Sequence, residues 1–92
     1  MKIQHSQSGK TGSFFIGDNG SRLALLEYKM YGDVLDIIHT EVDPSMQGRS
    51  IGYQLVEAAV IFARDNKLKI RPLCSFAKQV FDKEFKDVLE QA

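Results

Sequence analysis

"VLDIIHTEVDPSMQGRSIGYQLVEAAVIFARDN", Val34 to Asn66, changes its period in the middle. Val34 to Val42 is dominated by aliphatic and β-branched residues and reads as a strand. From Ser50 onward Ile51, Leu55, Ala58, Ala59 and Phe62 recur at helical spacing, while Glu57, Arg64 and Asp65 fall toward the other side. Asn66 supplies a left-handed stop, with Arg64 and Lys67 near the last carbonyls. Between the two patterns lies "DPSMQGRS", with Gly52 just beyond it. Glycine is costly at a helix start unless something must approach the main chain closely, and an anion is one such visitor.

Such a loop is expected to aim the backbone N–H groups of Gly48, Arg49, Ser50, Ile51 and Gly52 out of the helix N-terminus. The helix dipole adds about half a positive charge there, and Arg49 adds a whole one. A pyrophosphate fits that field, and the Ser50 hydroxyl is placed either to cap the helix or to donate to a phosphate oxygen. On the loop alone the alternative is an ordinary strand-to-helix turn, with Pro44 and Ser50 as its start signals.

Working outward, the preceding chain reads as strands joined by tight turns: "SFFIG" (Ser13 to Gly17), "DNGS", "RLALLEYKM" (Arg22 to Met30) and "YGD". A short strand near Lys2 to His5 is expected before them. After the helix, "LKIRPL" (Leu68 to Leu73) gives a brief strand ended by Pro72. A second helix is expected from about Ser75 as N-cap, with Phe76 and Val80, Ala77 and Phe81, and Phe81 and Phe85 at i,i+4. Val88 and Leu89 are left to dock. The order β-β-β-β-α-β-α predicts an α+β domain, two helices packed on a mostly antiparallel sheet.

With 92 residues, 43% of them hydrophobic and 26% charged, the chain is expected to form one small globular domain. Twelve basic and twelve acidic residues leave a formal net charge of zero, so no overall field selects nucleic acid or an anionic membrane. One cysteine (Cys74) and two histidines (His5 and His39) make neither an internal disulfide nor a closed structural zinc site, and no metal is expected. No apolar run has the length of a membrane span and the N-terminus has no signal-peptide core, so a cytoplasmic location and, by default, a monomer are expected. Asn19-Gly20-Ser21 reads as a turn, and Gly9-Lys10-Thr11 lacks the earlier P-loop glycine because Gln4 stands there.

The long strand with "V-x-P", then "QGRSIG" and an amphipathic helix, resembles the acyl-CoA-binding segment of the GNAT superfamily of N-acetyltransferases, whose pattern is Gln/Arg-x-x-Gly-x-Gly/Ala. "HTEVDP" before it and "KIRPLCSFAKQVF" after it resemble the small single-domain members, the YjdJ-type or N-acetyltransferase-domain-containing group. The resemblance covers about Phe14 to Val88 and implies a minimal GNAT-like (acyl-CoA N-acyltransferase) fold that uses acetyl-CoA and an amine acceptor. Gln47 takes the first motif position, Gly48 and Arg49 the variable ones, Ile51 the fifth and Gly52 the last, with Tyr53 following. Ser50 stands where the pattern has its middle glycine, and its side chain restricts φ and occupies volume where a pyrophosphate would approach. The chain is also shorter than a typical member, lacking the N-terminal helices that often build an acceptor pocket.

The resemblance further implies that the Val34–Val42 strand splays from the Leu68–Leu73 strand. The pantetheine arm would lie in that wedge, bonded by main-chain groups of His39, Thr40, Glu41 and Val42. His39 and Cys74, on or just after those strands, would then face the acetyl group together. An amine acceptor is protonated at neutral pH and must lose a proton before attack, a task suited to the His39 imidazole. Cys74 would act as a nucleophile through an acetyl-cysteine or as the acid that protonates the leaving CoA thiolate, and a helix N-terminus next to it favours thiolate character. Phe76 and Phe81 read as core, Lys78 as solvent-facing and His5 as incidental. A non-catalytic CoA-binding or sensing module, and a small interaction domain whose loop is only a helix start, are the alternatives.

Overall fold

A computed structural model describes residues 2–18 and 21–90; Asn19 and Gly20, in the expected "DNGS" turn, lie outside the described residues. Four strands come first: β1 (Gln4–Ser8), β2 (Thr11–Asp18), β3 (Ser21–Tyr31) and β4 (Val34–Val42). A 3-10 turn over Pro44–Met46 leads to α1 (Ile51–Asp65), then β5 (Lys69–Pro72), α2 (Ser75–Lys83) and a last 3-10 turn over Lys86–Val88. This is the expected order, with β1 two to three residues later than Lys2 to His5 and β2 longer than "SFFIG".

The strands form one sheet in sequence order. β1 to β4 pair antiparallel, whereas β5 runs parallel to β4. A parallel neighbour requires a crossover, and α1 supplies it. Phe14 and Ile16 of β2, Ala24, Leu26 and Tyr28 of β3, Leu35 and Ile37 of β4 and Ile70 of β5 pack with Leu55, Val56, Ala59, Val60 and Ala63 of α1 and Ala77 and Phe81 of α2 in one core. Alternation along each strand puts these residues on one face, so both helices cover the same side of the sheet. Full burial of each Leu, Ile or Val stabilises by about 1.5–3 kcal/mol, which is why α1 keeps its apolar stripe inward.

β4 carries a bulge that its sequence does not announce. Tyr28 pairs with Ile37 but Glu27 pairs with His39, leaving Ile38 unopposed. Before the bulge Leu35 and Ile37 face the helices; beyond it Thr40, opposite the fully buried Leu26, does. His39 therefore turns to the uncovered face, where simple alternation from Leu35 and Ile37 would have pointed it inward.

On that uncovered face Asp36, 3% exposed, receives two hydrogen bonds of 2.8 Å from the Arg71 guanidinium. The contact raises the Arg71 pKa above its usual value, chiefly through the hydrogen bond. The chain after α2 seals the far edge of β5: Leu89 bridges Ile70 in parallel, Glu90 N–H donates to Ile70 O at 2.8 Å, and Arg64 grips Asp87 with bonds of 3.0 and 2.8 Å.

His5 is not incidental. Its ring stacks on Phe14 at 4.2 Å and 9°, meets Phe62 of α1 edge-on at 4.8 Å, and lies 2.6 Å from the Tyr28 hydroxyl. Burial lowers its pKa below the ordinary histidine value.

Candidate active site

β4 and β5 stay paired only from Val34 with Lys69 to Ile37 with Pro72. Leu73 and Cys74 then both donate their N–H to Ile37 O, at 3.0 and 3.3 Å, and the chain turns into α2. Among the described residues the rest of β4 has no strand partner on that side. Asp43 N–H bonds Leu23 O of β3 at 2.8 Å, so alternation sends the N–H and C=O groups of Thr40 and Val42 to the vacant edge. The expected wedge is therefore present, with a peptide-like ladder offered on one wall.

The second wall is the start of α1. Gly48 adopts φ +83 in open space, and Ser50, the N-cap, is left-handed at φ 57 and ψ 28. Its hydroxyl makes no capping hydrogen bond, so of the two roles expected for it, capping is not the one seen. Helical bonding begins with Gln54 N–H to Ser50 O at 3.0 Å, which leaves the N–H groups of Ile51, Gly52 and Tyr53 without intrahelical acceptors. They are aligned with the positive end of the dipole.

Close packing of the helices brings the third wall in. A Cβ on Gly52 would stand 2.7 Å from Phe76 Cζ, so only glycine lets α1 meet the ring as placed. Thr40, Val42, Met46, Gln47, Gly48, Ser50, Ile51, Gly52, Tyr53 and Phe76 line a half-open cavity of about 420 Å³. The site residues expected at Thr40, Val42, Gln47, Gly48, Ser50, Ile51, Gly52 and Tyr53 thus converge, while His39, Glu41, Arg49 and Cys74 are not among its walls.

Met46 and Phe76 were not foreseen there. Phe76 is 37% exposed rather than core, unlike Phe81 at 2%. The available clue was Gly52, since a glycine inside the first helical turn signals a close approach. Tyr53 donates its hydroxyl to the Glu84 carboxylate, and that hydrogen bond is the leading reason its pKa is pushed up to about 12.

Cys74 is half-buried and occupies the N-cap of α2, one residue before the Ser75 expected there. Its side chain does not cap the helix; the thiol sulfur lies 3.2 Å from Thr40 Oγ1. His39 is not brought to it. The imidazole lies on the other face of β4, 52% exposed and 3.5 Å from Glu41 Oε2, because the bulge reversed its direction. Among the described residues no group of three His, Cys, Asp or Glu gathers to hold a metal, and no helix is long and apolar enough to cross a membrane.

Comparison with known proteins agrees with this architecture. A family model described as GCN5-related N-acetyl-transferase matches residues 13–88. Protein NATD1 of the zebrafish Danio rerio is 35% identical over 86 residues, 91% of this chain and 76% of the relative. The solution structure of a GCN5-like protein from Staphylococcus aureus is 35% identical with a TM-score of 0.77, covering 99% of this chain and 89% of that one. The PaiA N-acetyltransferase of Thermoplasma acidophilum, solved with coenzyme A, shares the fold at a TM-score of 0.64 and 13% identity, over 80% of this chain and 50% of its own. With the wedge, the glycine loop and the α1 N-terminus all within the matched span, the chain belongs to the GCN5-related N-acetyltransferase family.

Proposed function

We propose that the chain binds acetyl-CoA in the wedge and transfers its acetyl group to an amine. The observation that carries this reading is the convergence, around one cavity, of a vacant strand edge and a helix N-terminus with unbonded N–H groups, with Cys74 beside the Thr40 wall. The PaiA complex with coenzyme A supports the ligand, since it shares the fold. Main-chain groups of Thr40 and Val42 would hold the pantetheine amides as a neighbouring strand would. The N–H groups from Gly48 to Tyr53 would hold the pyrophosphate, with Arg49 adding charge from the rim. Gly48 leaves that approach open, and Ser50 reaches the left-handed geometry that a glycine would take more easily.

Cys74 is the nucleophile in this reading. Its sulfur attacks the thioester carbonyl, an S-acetyl bond forms, and the carbon–sulfur bond to CoA breaks. CoA leaves as a thiolate and takes up a proton. A neutral amine then attacks the acetyl-cysteine, losing a proton as the amide forms and returning the thiol. His39 contributes its main chain to β4, since its ring points away from the cavity.

Amide-resolved titration with acetyl-CoA, followed by mass analysis of the chain, tests both halves. Saturable shifts around Gly48 to Gly52 are expected, with an acetyl adduct on Cys74 that disappears when amine is added. No shifts at millimolar ligand would overturn the cofactor assignment. Full transfer by Cys74→Ala would remove the thiol from the reaction while leaving the ligand reading intact.

A further inference from the structure

We propose that Thr40 is the positioning residue for Cys74, holding the thiol beside the wall that Thr40 itself forms and giving its sulfur a hydrogen bond through the reaction. The inference rests on the reading of Cys74 as nucleophile. The local architecture around β4 and the start of α2 leads to it. The bulge at Ile38 brings Thr40, and not His39, to the helix-covered face. Cys74 is anchored by its own N–H to Ile37 O at 3.3 Å, two strand positions before the bulge partner His39. As N-cap of α2 its side chain makes no capping bond, so the thiol is not committed to the helix. Its sulfur lies 3.2 Å from Thr40 Oγ1, and Thr40 itself lines the cavity.

A hydroxyl suits this position because it both donates and accepts. Toward a neutral thiol it can receive the S–H; toward a thiolate it turns its own O–H to the sulfur, a hydrogen bond strengthened by the charge. β-branching leaves the Thr40 side chain few rotamers in a strand, so the hydroxyl is held where the sulfur needs it. Serine keeps the chemistry and gives up some of that stiffness, whereas valine keeps the shape and removes the hydrogen bond. The main chain that Thr40 offers to the vacant edge is the same in all three.

The test compares wild type, Thr40→Ser and Thr40→Val at one fixed pH near neutrality. Three readouts are taken: the rate at which iodoacetamide alkylates Cys74, the rate of acetyl-adduct formation, and acetyl-CoA titration followed by amide shifts. Thr40→Val is expected to slow alkylation and adduct formation about tenfold, the size of one charge-assisted hydrogen bond. Thr40→Ser is expected to stay within about threefold of wild type on the same scale, and acetyl-CoA shifts to saturate in all three proteins. Alkylation of the valine variant at the wild-type rate would overturn the proposal. So would an equal slowing in the serine variant, because packing and not the hydroxyl would then be the cause. If alkylation follows the expected order but Cys74→Ala still transfers acetyl at full rate, Thr40 does position the thiol and it is the nucleophile reading that fails.

Discussion

Asp36 and Arg71 face each other across β4 and β5 one register step before the strands end their pairing, joined by two hydrogen bonds of 2.8 Å. The carboxylate is buried and the guanidinium half-exposed, so the pair is unequal. It fastens the closed end of the wedge, from which Ile37 O then anchors the turn carrying Cys74.

Removing Arg71 leaves a buried charge without its partner, whereas removing Arg64 leaves Asp87 in solvent. Arg71→Ala is therefore expected to lower the urea midpoint clearly more than Arg64→Ala, although each deletes a bidentate ion pair. Parallel urea titrations of the two variants check this. Equal losses would mean that burial of Asp36 contributes nothing.

Ser50→Gly relieves a left-handed residue at φ 57 and gives up no capping bond. The gain from the native conformation exceeds the added entropy of the unfolded chain, so stabilisation of about 0.5–1 kcal/mol is expected. Thermal unfolding should show a higher midpoint, and Ser50→Val a lower one.

At Gly52 stability and binding should separate. Alanine improves helix propensity by up to about 1 kcal/mol but drives its Cβ into the Phe76 ring, which can swing because one side of it is solvent. Gly52→Ala is expected to change the urea midpoint little while weakening acetyl-CoA binding, as the displaced ring enters the cavity. Adding Phe76→Ala should restore part of the affinity, measured by the same titration.

His5 is expected to make the fold sensitive to acid. Its pKa in the folded chain lies below the unfolded value, so the native state prefers the neutral ring. That contribution is complete above the unfolded value of about 6.5 and is lost as pH falls from there through the lower folded pKa. The urea midpoint should decline between about pH 7 and pH 5, and decline less in His5→Phe. Identical pH profiles for the two proteins would remove His5 as the cause.

Much of this molecule could be read from residue order. Ile51, Leu55 and Ala59 mark the buried stripe of α1, and Gly48, Arg49, Ser50 and Gly52 mark its start, because helix period and glycine cost are local properties. The pairing of β4 with β5 and the wedge followed from the resemblance to a known family. The direction of His39 did not. It depends on an extra residue in β4 relative to β3, a property of two strands together that neither sequence segment contains. His5 was missed for a related reason: Phe14, Tyr28 and Phe62, which its ring touches, come from three different elements. The partner of Cys74 escaped likewise, since Thr40 lies 34 positions away and reaches it only after the bulge.

The vacant edge at Thr40 and Val42 also bears on how this sheet avoids joining others. An unpaired strand edge invites any extended peptide to add itself. Here the invitation is short, and Phe76 and Met46 stand around it in the same cavity. A polypeptide would have to bring side chains on alternate residues into that space, whereas a slender amide-bearing arm brings none. With Leu89 and Glu90 occupying the far side of β5, that strand is also not free to slide over and close the gap itself. A slot of that gauge would admit a thin ligand more readily than the side chains of another protein.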